Sequence, residues 1–326
     1  MLRATWQRES GWPWRSAPDA EMGTIQIGRT LLECKDYECS QDEIYVPREQ
    51  LSLWLYINLT DACPASCPFC VHTVPGEKGG HADPDQLSKV LSKTAPFISG
   101  VSLTGGEPMT DIPLMEEVIA VIREQIPADI ELDMVTNGLH IEKLPGLRGL
   151  ERVTTVHISR HAAEDEQNAA LMRWAGAPSK QTLKQVFSAL PDPGMTVLNC
   201  VLQKNGVHDA ASVREYLETA AWIGAANVSL IGMFLANDYC TEQYVSPVSI
   251  PFTEDPRFRV WNHYHDHDYC QCSTGSYNAR SGPVRYYFRC PGNVQGPALC
   301  RQLVYGSDNR LRAGFGDAEV IDISDD

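Results

Sequence analysis

The sequence has no apolar run long enough to cross a bilayer or to act as a signal peptide. Its opening stretch, MLRATWQRESGWPWRS, carries Trp6, Trp12 and Trp14 but no unbroken apolar segment. It is short of positive charge, with 27 Lys plus Arg against 42 Asp plus Glu and a formal net charge of -15. A surface this acidic repels phosphate backbones and anionic lipid, so nucleic acid and membrane surfaces are poor partners. Low-complexity tracts and repeat periods are missing too, which excludes solenoids and disordered linkers. Together these absences lead us to expect a soluble cytoplasmic protein.

What is present fits an ordinary globular chain of 326 residues, 43% hydrophobic and 21% charged, with one large core plus an appendage. Eleven cysteines is a high count. In a cytosolic chain, clustered cysteines bind metal or do redox chemistry more often than they form disulfides. From about Gln50, short runs rich in Val, Ile and Leu alternate with longer amphipathic segments, the pattern of βαβ units. The strands are predicted at Leu53 to Leu59, Ile98 to Leu103, Ile130 to Val135, Arg152 to Ser159, Thr196 to Leu202 and Asn227 to Met233. Helices are predicted between them, one starting near Asp83 or Asp85 and another ending before Gly224.

The expected fold is therefore α/β: a partial (β/α)6 TIM-like barrel over residues 49–236. An N-terminal extension over 1–48 precedes it, and an irregular cysteine-rich region follows over 237–326. TIQIGRTLLEC and EIYV read as two short strands of the extension.

The segment NLTDACPASCPFC, Asn58 to Cys70, begins where the first strand ends, which is where barrel enzymes keep their chemistry. Cys63, Cys67 and Cys70 stand at i, i+4 and i+7. Three thiolates so spaced hold three irons of a cubane and leave the fourth open. A zinc knuckle would show paired C-x2-C units with a fourth ligand, and this loop does not. One βα unit later, Thr104-Gly105-Gly106-Glu107-Pro108 follows the second strand directly.

These residues resemble the radical S-adenosylmethionine (radical SAM) superfamily, whose signature C-x3-C-x-aromatic-C is matched by Cys63, Cys67, Phe69 and Cys70, with Gly105, Gly106 and Glu107 as its GGE motif. The resemblance implies a 4Fe-4S cluster, with S-adenosylmethionine chelating the open iron and cleaved to a 5'-deoxyadenosyl radical. It also implies a one-electron donor such as flavodoxin or ferredoxin, and cofactor contacts from the GGE turn and from Asn137, Ser159 and Asn199 at later strand ends, with Arg160 as a further candidate. LTDAC, VTNGL and NCVLQKNGVHDAASVREYLETA are similar to the GTP cyclase and SPASM-twitch branch. The cyclase itself ends in a Gly-Gly tail, whereas this chain ends Asp322 to Asp326, so that activity is not expected.

By the same resemblance Cys270, Cys272, Cys290 and Cys300 are candidate ligands of a second, auxiliary Fe-S cluster, although Gly314 stands where a further cysteine would be expected. His263, His265 and His267 precede them with a period of two, which fits an exposed polar strand better than a metal face. His72, His157, Arg160 and His161 are candidate substrate contacts. Cys200 and Cys240 are candidate hydrogen-atom donors, with a free core thiol as the competing role. The expected substrate is a small molecule that is rearranged, epimerised, cyclised or oxidised. A peptide-modifying maturase and a non-catalytic Fe-S protein are the alternatives.

Overall fold

Gly28 and Arg29 form the two-residue turn of a hairpin, with Gly28 at φ 54, a conformation that favours glycine. The computed structural model describes residues 22–35, 53–70, 80–247, 250, 254–264, 272–289, 302–315 and 318–324. Within them the hairpin pairs β1 (Met22–Ile27) with β2 (Thr30–Lys35). The stretch Thr24 to Cys34, read as one strand, thus holds most of both, because the turn at Gly28 splits it; EIYV lies outside the described residues. Ile25, Ile27, Leu32 and Cys34 of the hairpin are buried in the main core. Its turn is tied to the C-terminal segment by Arg29 N donating to Asp322 O at 2.9 Å.

Six parallel strands form the centre: β3 (Leu53–Asn58), β4 (Ile98–Thr104), β5 (Glu131–Thr136), β6 (Thr155–Ser159), β7 (Thr196–Val201) and β8 (Asn227–Ile231). Each hydrogen-bonds to the next in chain order, the arrangement of a partial TIM-like barrel. Parallel neighbours need crossovers, and these carry α1 (Pro84–Thr94), α2 (Ile112–Gln125), α3 (Asp165–Met172), α4 (Lys180–Ala189) and α5 (Ala210–Ile223).

The helix boundaries follow from local chemistry. Asp83 caps α1 by accepting from Asp85 N and Gln86 N, and Pro84 occupies the first position, where a missing N–H costs nothing. Asp209 and Ser212 form a capping box on α5, which ends at Gly224 with φ 93.

Strand side chains alternate between two faces. In β3, Leu53, Leu55 and Ile57 are buried against the helices, while Trp54, Tyr56 and Asn58 are half-buried on the lumen side. Leu87, Val90 and Leu91 of α1 and Met115, Val118, Ile119 and Ile122 of α2 complete the outer core. Each such fully buried aliphatic side chain stabilises the fold by roughly 1.5–3 kcal/mol relative to exposure.

The region read as irregular begins with α6 (Asp238–Gln243) and then adds strands to both edges of the same sheet. β9 (Phe258–Tyr264), β10 (Cys272–Ala279) and β11 (Gly282–Arg289) form an antiparallel meander whose β11 runs parallel to β8. At the other edge β12 (Gln302–Tyr305) runs parallel to β3 and pairs with β13 (Leu311–Arg312). These strands escape an aliphatic pattern because aromatic residues, Phe258, Tyr277, Tyr286, Phe288 and Tyr305, share their buried positions with Val284, Leu303, Val304 and Leu311. Cys272 opens β10; Cys270, Cys290, Cys300, His265, His267 and His72 lie outside the described residues.

Candidate active site

The loop after β3 is stitched to the turn after β4 by backbone. Leu59 N donates to Thr104 O at 2.8 Å, Gly106 N to Thr60 O at 2.6 Å and Glu107 N to Ala62 O at 2.8 Å. This contact is what the glycine pair is for. A Cβ on Gly105, which sits at φ 122, would lie 2.6 Å from Thr60 O, and one on Gly106 would strike the Ala62 carbonyl.

Other elements hold the loop from its far side. Ser66 N donates to Met172 O at the end of α3 (3.1 Å), and Asn237, the N-cap of α6, donates through Nδ2 to Pro68 O at 3.0 Å. Phe69 is buried among Ala162, Leu171, Met233 and Cys240, with its ring edge-on to His161 at 4.7 Å.

Cys63, Cys67 and Cys70 all stand on this loop, Cys63 exposed and the other two half-buried. Although the residue is exposed, its sulfur is partly withdrawn from water, and that desolvation raises Cys63 above the ordinary thiol range. Burial, with the charges of Cys70 and Cys63, pushes Cys67 up to about 12. Crowded sulfurs of this kind resist ionisation until iron supplies the compensating charge, so the donor set fits an Fe-S cluster. Among the described residues no three His, Cys, Asp or Glu side chains converge on a single metal-ion position. Thiolates that each bind a different iron need no common centre.

Glu107 is fully buried. Its Oε1 accepts from Met109 N (2.9 Å) and Thr136 Oγ1 (2.6 Å), and its Oε2 from Asn137 N (2.6 Å). The carboxylate thus braces the turn after β4 against the end of β5 and keeps one of its roughly four lone pairs free. Burial raises its pKa to about 7, against the pull of those three donors. A carboxyl so raised holds its proton more tightly in the folded state than in the unfolded one. Its contribution to stability is therefore greatest below pH 4.5 and is lost as the pH rises towards 7.

Glu107→Gln would turn an amide N–H2 on to donors and leave one of them unmatched. We expect a loss of about 1–3 kcal/mol at neutral pH and a flatter stability profile between pH 4.5 and 7, read by urea unfolding. An unchanged midpoint and slope would contradict the bracing role.

The remaining sequence candidates separate by strand parity. Ser159 and Asn199 are register partners on the lumen face of β6 and β7, opposite the buried Ile158 and Leu198. One step deeper, His157 Nδ1 lies 3.2 Å from Asn199 Oδ1, and its Nε2 lies 3.6 Å from Asp133 Oδ2 on β5. A polar chain thus descends across three strands from the mouth into the barrel. Asp133 was missed in the sequence, although its place in the period-two pattern of β5 marks it as lumen-facing.

Arg160 is fully buried and turned away from that chain. It donates to Ala163 O (2.7 Å), Asp165 Oδ1 (2.8 Å) and Pro178 O (3.4 Å), and its own carbonyl accepts from Tyr216 (2.7 Å). His161 is buried behind Phe69, where Nδ1 accepts from Val201 N at 3.1 Å; burial and the Arg160 charge lower its pKa to about 3, so the ring is neutral. Cys200 lies in the main core beside Tyr216 and Arg160, on the helix side of β7, and burial pushes its thiol up. Cys240 lies instead in the small apolar cluster with Phe69, against which Cys67 packs. Met172 and Asn237, which fix the cysteine loop through distant contacts, carry no signal in the sequence.

Comparison with known proteins agrees with this geometry. The GTP 3',8-cyclase of Synechococcus sp. (strain CC9902) is 32% identical over 165 residues, covering 46% of this chain and 47% of that protein. The PqqA peptide cyclase of Gluconobacter oxydans (strain 621H) is 29% identical over 181 residues, covering 54% and 48%. The chain spans about half the length of the curated relatives it matches. The crystal structure of Streptococcus suis SuiB bound to precursor peptide SuiA shares the fold, with a TM-score of 0.55 at 13% identity over 83% of this chain and 62% of that one. Residues 57–224, just over half of the chain and containing both stitched loops, match the profile of the Radical SAM superfamily, and the chain belongs to that superfamily.

Proposed function

We propose that this enzyme reductively cleaves S-adenosylmethionine and uses the 5'-deoxyadenosyl radical to take a hydrogen atom from a substrate in the barrel lumen. The observation that carries the reading is the backbone stitching of the Cys63 to Cys70 loop to the Gly105-Gly106-Glu107 turn. It holds three cysteine side chains just beyond the end of β3, on the face where a barrel enzyme does its chemistry. When bound, a 4Fe-4S cluster with S-adenosylmethionine on its open iron supplies the electron and the sulfonium whose cleavage makes the radical.

The chain supplies orientation and exclusion of water. Cys63, Cys67 and Cys70 hold the cluster. The Gly105-Gly106 backbone and the free lone pair of Glu107 receive the amino group, and Ser159 and Asn199 meet the ribose and carboxylate. His157 and Asp133 face the substrate below them. Cys240, packed near Phe69, is the better placed of the two candidate hydrogen-atom donors.

Anaerobic reconstitution followed by dithionite and S-adenosylmethionine should yield 5'-deoxyadenosine by mass spectrometry. A fully loaded cluster that gives none would overturn the reading and leave a non-catalytic Fe-S protein.

The substrate we favour is a small molecule in natural-product or cofactor biosynthesis, acted on by an oxidoreductase or lyase outcome of the radical. The lumen supports this with mixed aromatic and polar groups: Trp54, hydrogen-bonded to Ser102 at 2.8 Å, then Tyr56, Asp133 and His157. A peptide substrate is the second reading. It is favoured by the likeness to a peptide cyclase and by Phe234 and Leu235, exposed just beyond β8 beside the Asn237 contact to the cluster loop. A complex with a candidate precursor peptide would select it.

In this proposal residues 49–236 carry the cofactor chemistry, residues 1–48 form an extension whose described hairpin at 22–35 packs on the barrel core, and the cysteines of 237–326 hold a second cluster. Flavodoxin or ferredoxin supplies the electron, in the cytoplasm. No described helix is long and apolar enough to cross a membrane.

A further inference from the structure

Asn137 has its two amide ends sorted by the fold. Its Oδ1 accepts from Leu139 N at 3.0 Å, and its backbone N–H is fixed on Glu107 Oε2 at 2.6 Å. An amide whose oxygen meets a backbone donor has no freedom to flip, so the end that faces the cluster loop is the N–H2 end. That end, Nδ2, lies 3.4 Å from Cys63 Sγ, ordinary for an N–H···S contact, and the side chain is buried. The next residue, Gly138, turns at φ 91, and its N–H is held by Thr136 Oγ1 at 2.9 Å, so the approach is set by the β5 turn. The Ala65 backbone also donates to the Cys63 sulfur, so Asn137 is the side-chain donor beside a backbone one; Cys67 Sγ, by contrast, lies 3.7 Å from a carbonyl, Met172 O.

We infer that Asn137 is a positioning residue that donates to the Cys63 sulfur and sets the reduction potential of the cluster, in place of the S-adenosylmethionine contact that its sequence position implied. Reduction adds one electron from an external donor to the cluster, with no bond broken and no proton moved. The added charge spreads on to the ligating sulfurs. A donor hydrogen bond to one of them stabilises the reduced state more than the oxidised one and raises the potential; hydrogen bonds to cluster sulfurs are among the determinants of Fe-S potentials. The inference rests on the reading of Cys63, Cys67 and Cys70 as cluster ligands.

Its test is redox titration of the anaerobically reconstituted full chain, followed by the EPR signal of the reduced cluster without S-adenosylmethionine. Asn137→Asp keeps the acceptor for Leu139 N and removes the donor to sulfur, whereas Asn137→Ala removes both. Both variants should bind wild-type amounts of iron and sulfide and shift to a more negative midpoint, Asn137→Asp the further because it adds charge. The wild-type reduced cluster should also show an exchangeable-proton coupling in pulsed EPR that Asn137→Ala lacks.

If Asn137→Asp fails to load iron, the proton coupling and the Asn137→Ala midpoint decide. Equal midpoints, with the coupling unchanged in Asn137→Ala, would overturn the role of Asn137. A wild-type chain that binds no iron would overturn the cluster reading instead.

Discussion

Replacing Cys63, Cys67 and Cys70 together by Ala is expected to strip about four irons per chain from the reconstituted protein and to abolish 5'-deoxyadenosine formation, with little change in stability. The three side chains sit on a loop whose path is set by backbone hydrogen bonds to the Gly105-Gly106-Glu107 turn, to Met172 and to Asn237. None of the three lies in the buried core; Cys63 is exposed and the others are half-buried. Removing sulfur therefore removes ligands without opening a cavity. Iron assay, circular dichroism and mass spectrometry read the three outcomes separately. Iron retained at the wild-type level would place the cluster elsewhere. The same assay addresses the second cluster, because about eight irons in the wild type would fall to about four held by the remaining cysteines.

Arg160→Met is expected to destabilise the fold by about 2–4 kcal/mol, somewhat below the scale for breaking a fully buried ion pair because the Asp165 side chain is 32% exposed, read as a lowered urea midpoint. The guanidinium is fully buried and joins the Ala163 and Pro178 carbonyls to Asp165, whose Oδ1 also accepts from Lys180 N at 2.9 Å. Methionine fills much of the volume but leaves three acceptors without their donor. Arg160→Lys should recover only part of the loss, since one ammonium does not span acceptors that a planar fork reaches. Arg160 Nε has no partner, which limits how well satisfied the native residue is. Because α3 begins at Asp165 and its end meets Ser66 through Met172, loosening this joint also loosens the cluster loop. A variant of wild-type stability that no longer cleaves S-adenosylmethionine would show that Arg160 acts on the chemistry instead.

The six central strands, and the places of the cysteine loop and the Gly105-Gly106 turn beside them, were legible because their signals are local: apolar runs of strand length, a fixed cysteine spacing, and a Gly pair directly after a strand. The helix ends at Asp83 and Gly224 were legible for the same reason. Arg160 and His161 were read as substrate contacts because they follow a strand end. Ser159 takes the lumen face, however, and the next two residues leave it, one into the α3 joint and one behind Phe69. Parity likewise separates Cys200 from Asn199, its immediate neighbour. The bracing of Glu107 and the Asp133, His157 and Asn199 chain depend on which strands lie side by side and in what register. That information resides in the pairing, and no single segment carries it.

The order of the sheet also has a consequence for how the protein is made. The outer neighbour of β3 is β12, so a strand at Leu53–Asn58 is completed by one at Gln302–Tyr305. While the ribosome is still translating, β3 stands as an open edge, and pairing it demands closure across most of the chain, which is slow. An open parallel edge is also a template for misassociation. The cluster loop leaves the end of this same strand, so iron delivered to the nascent chain meets a loop with an unfinished support. Cluster insertion is therefore best served after chain release, and a truncation ending before Gln302 removes the support while sparing every ligand of the Cys63, Cys67 and Cys70 set.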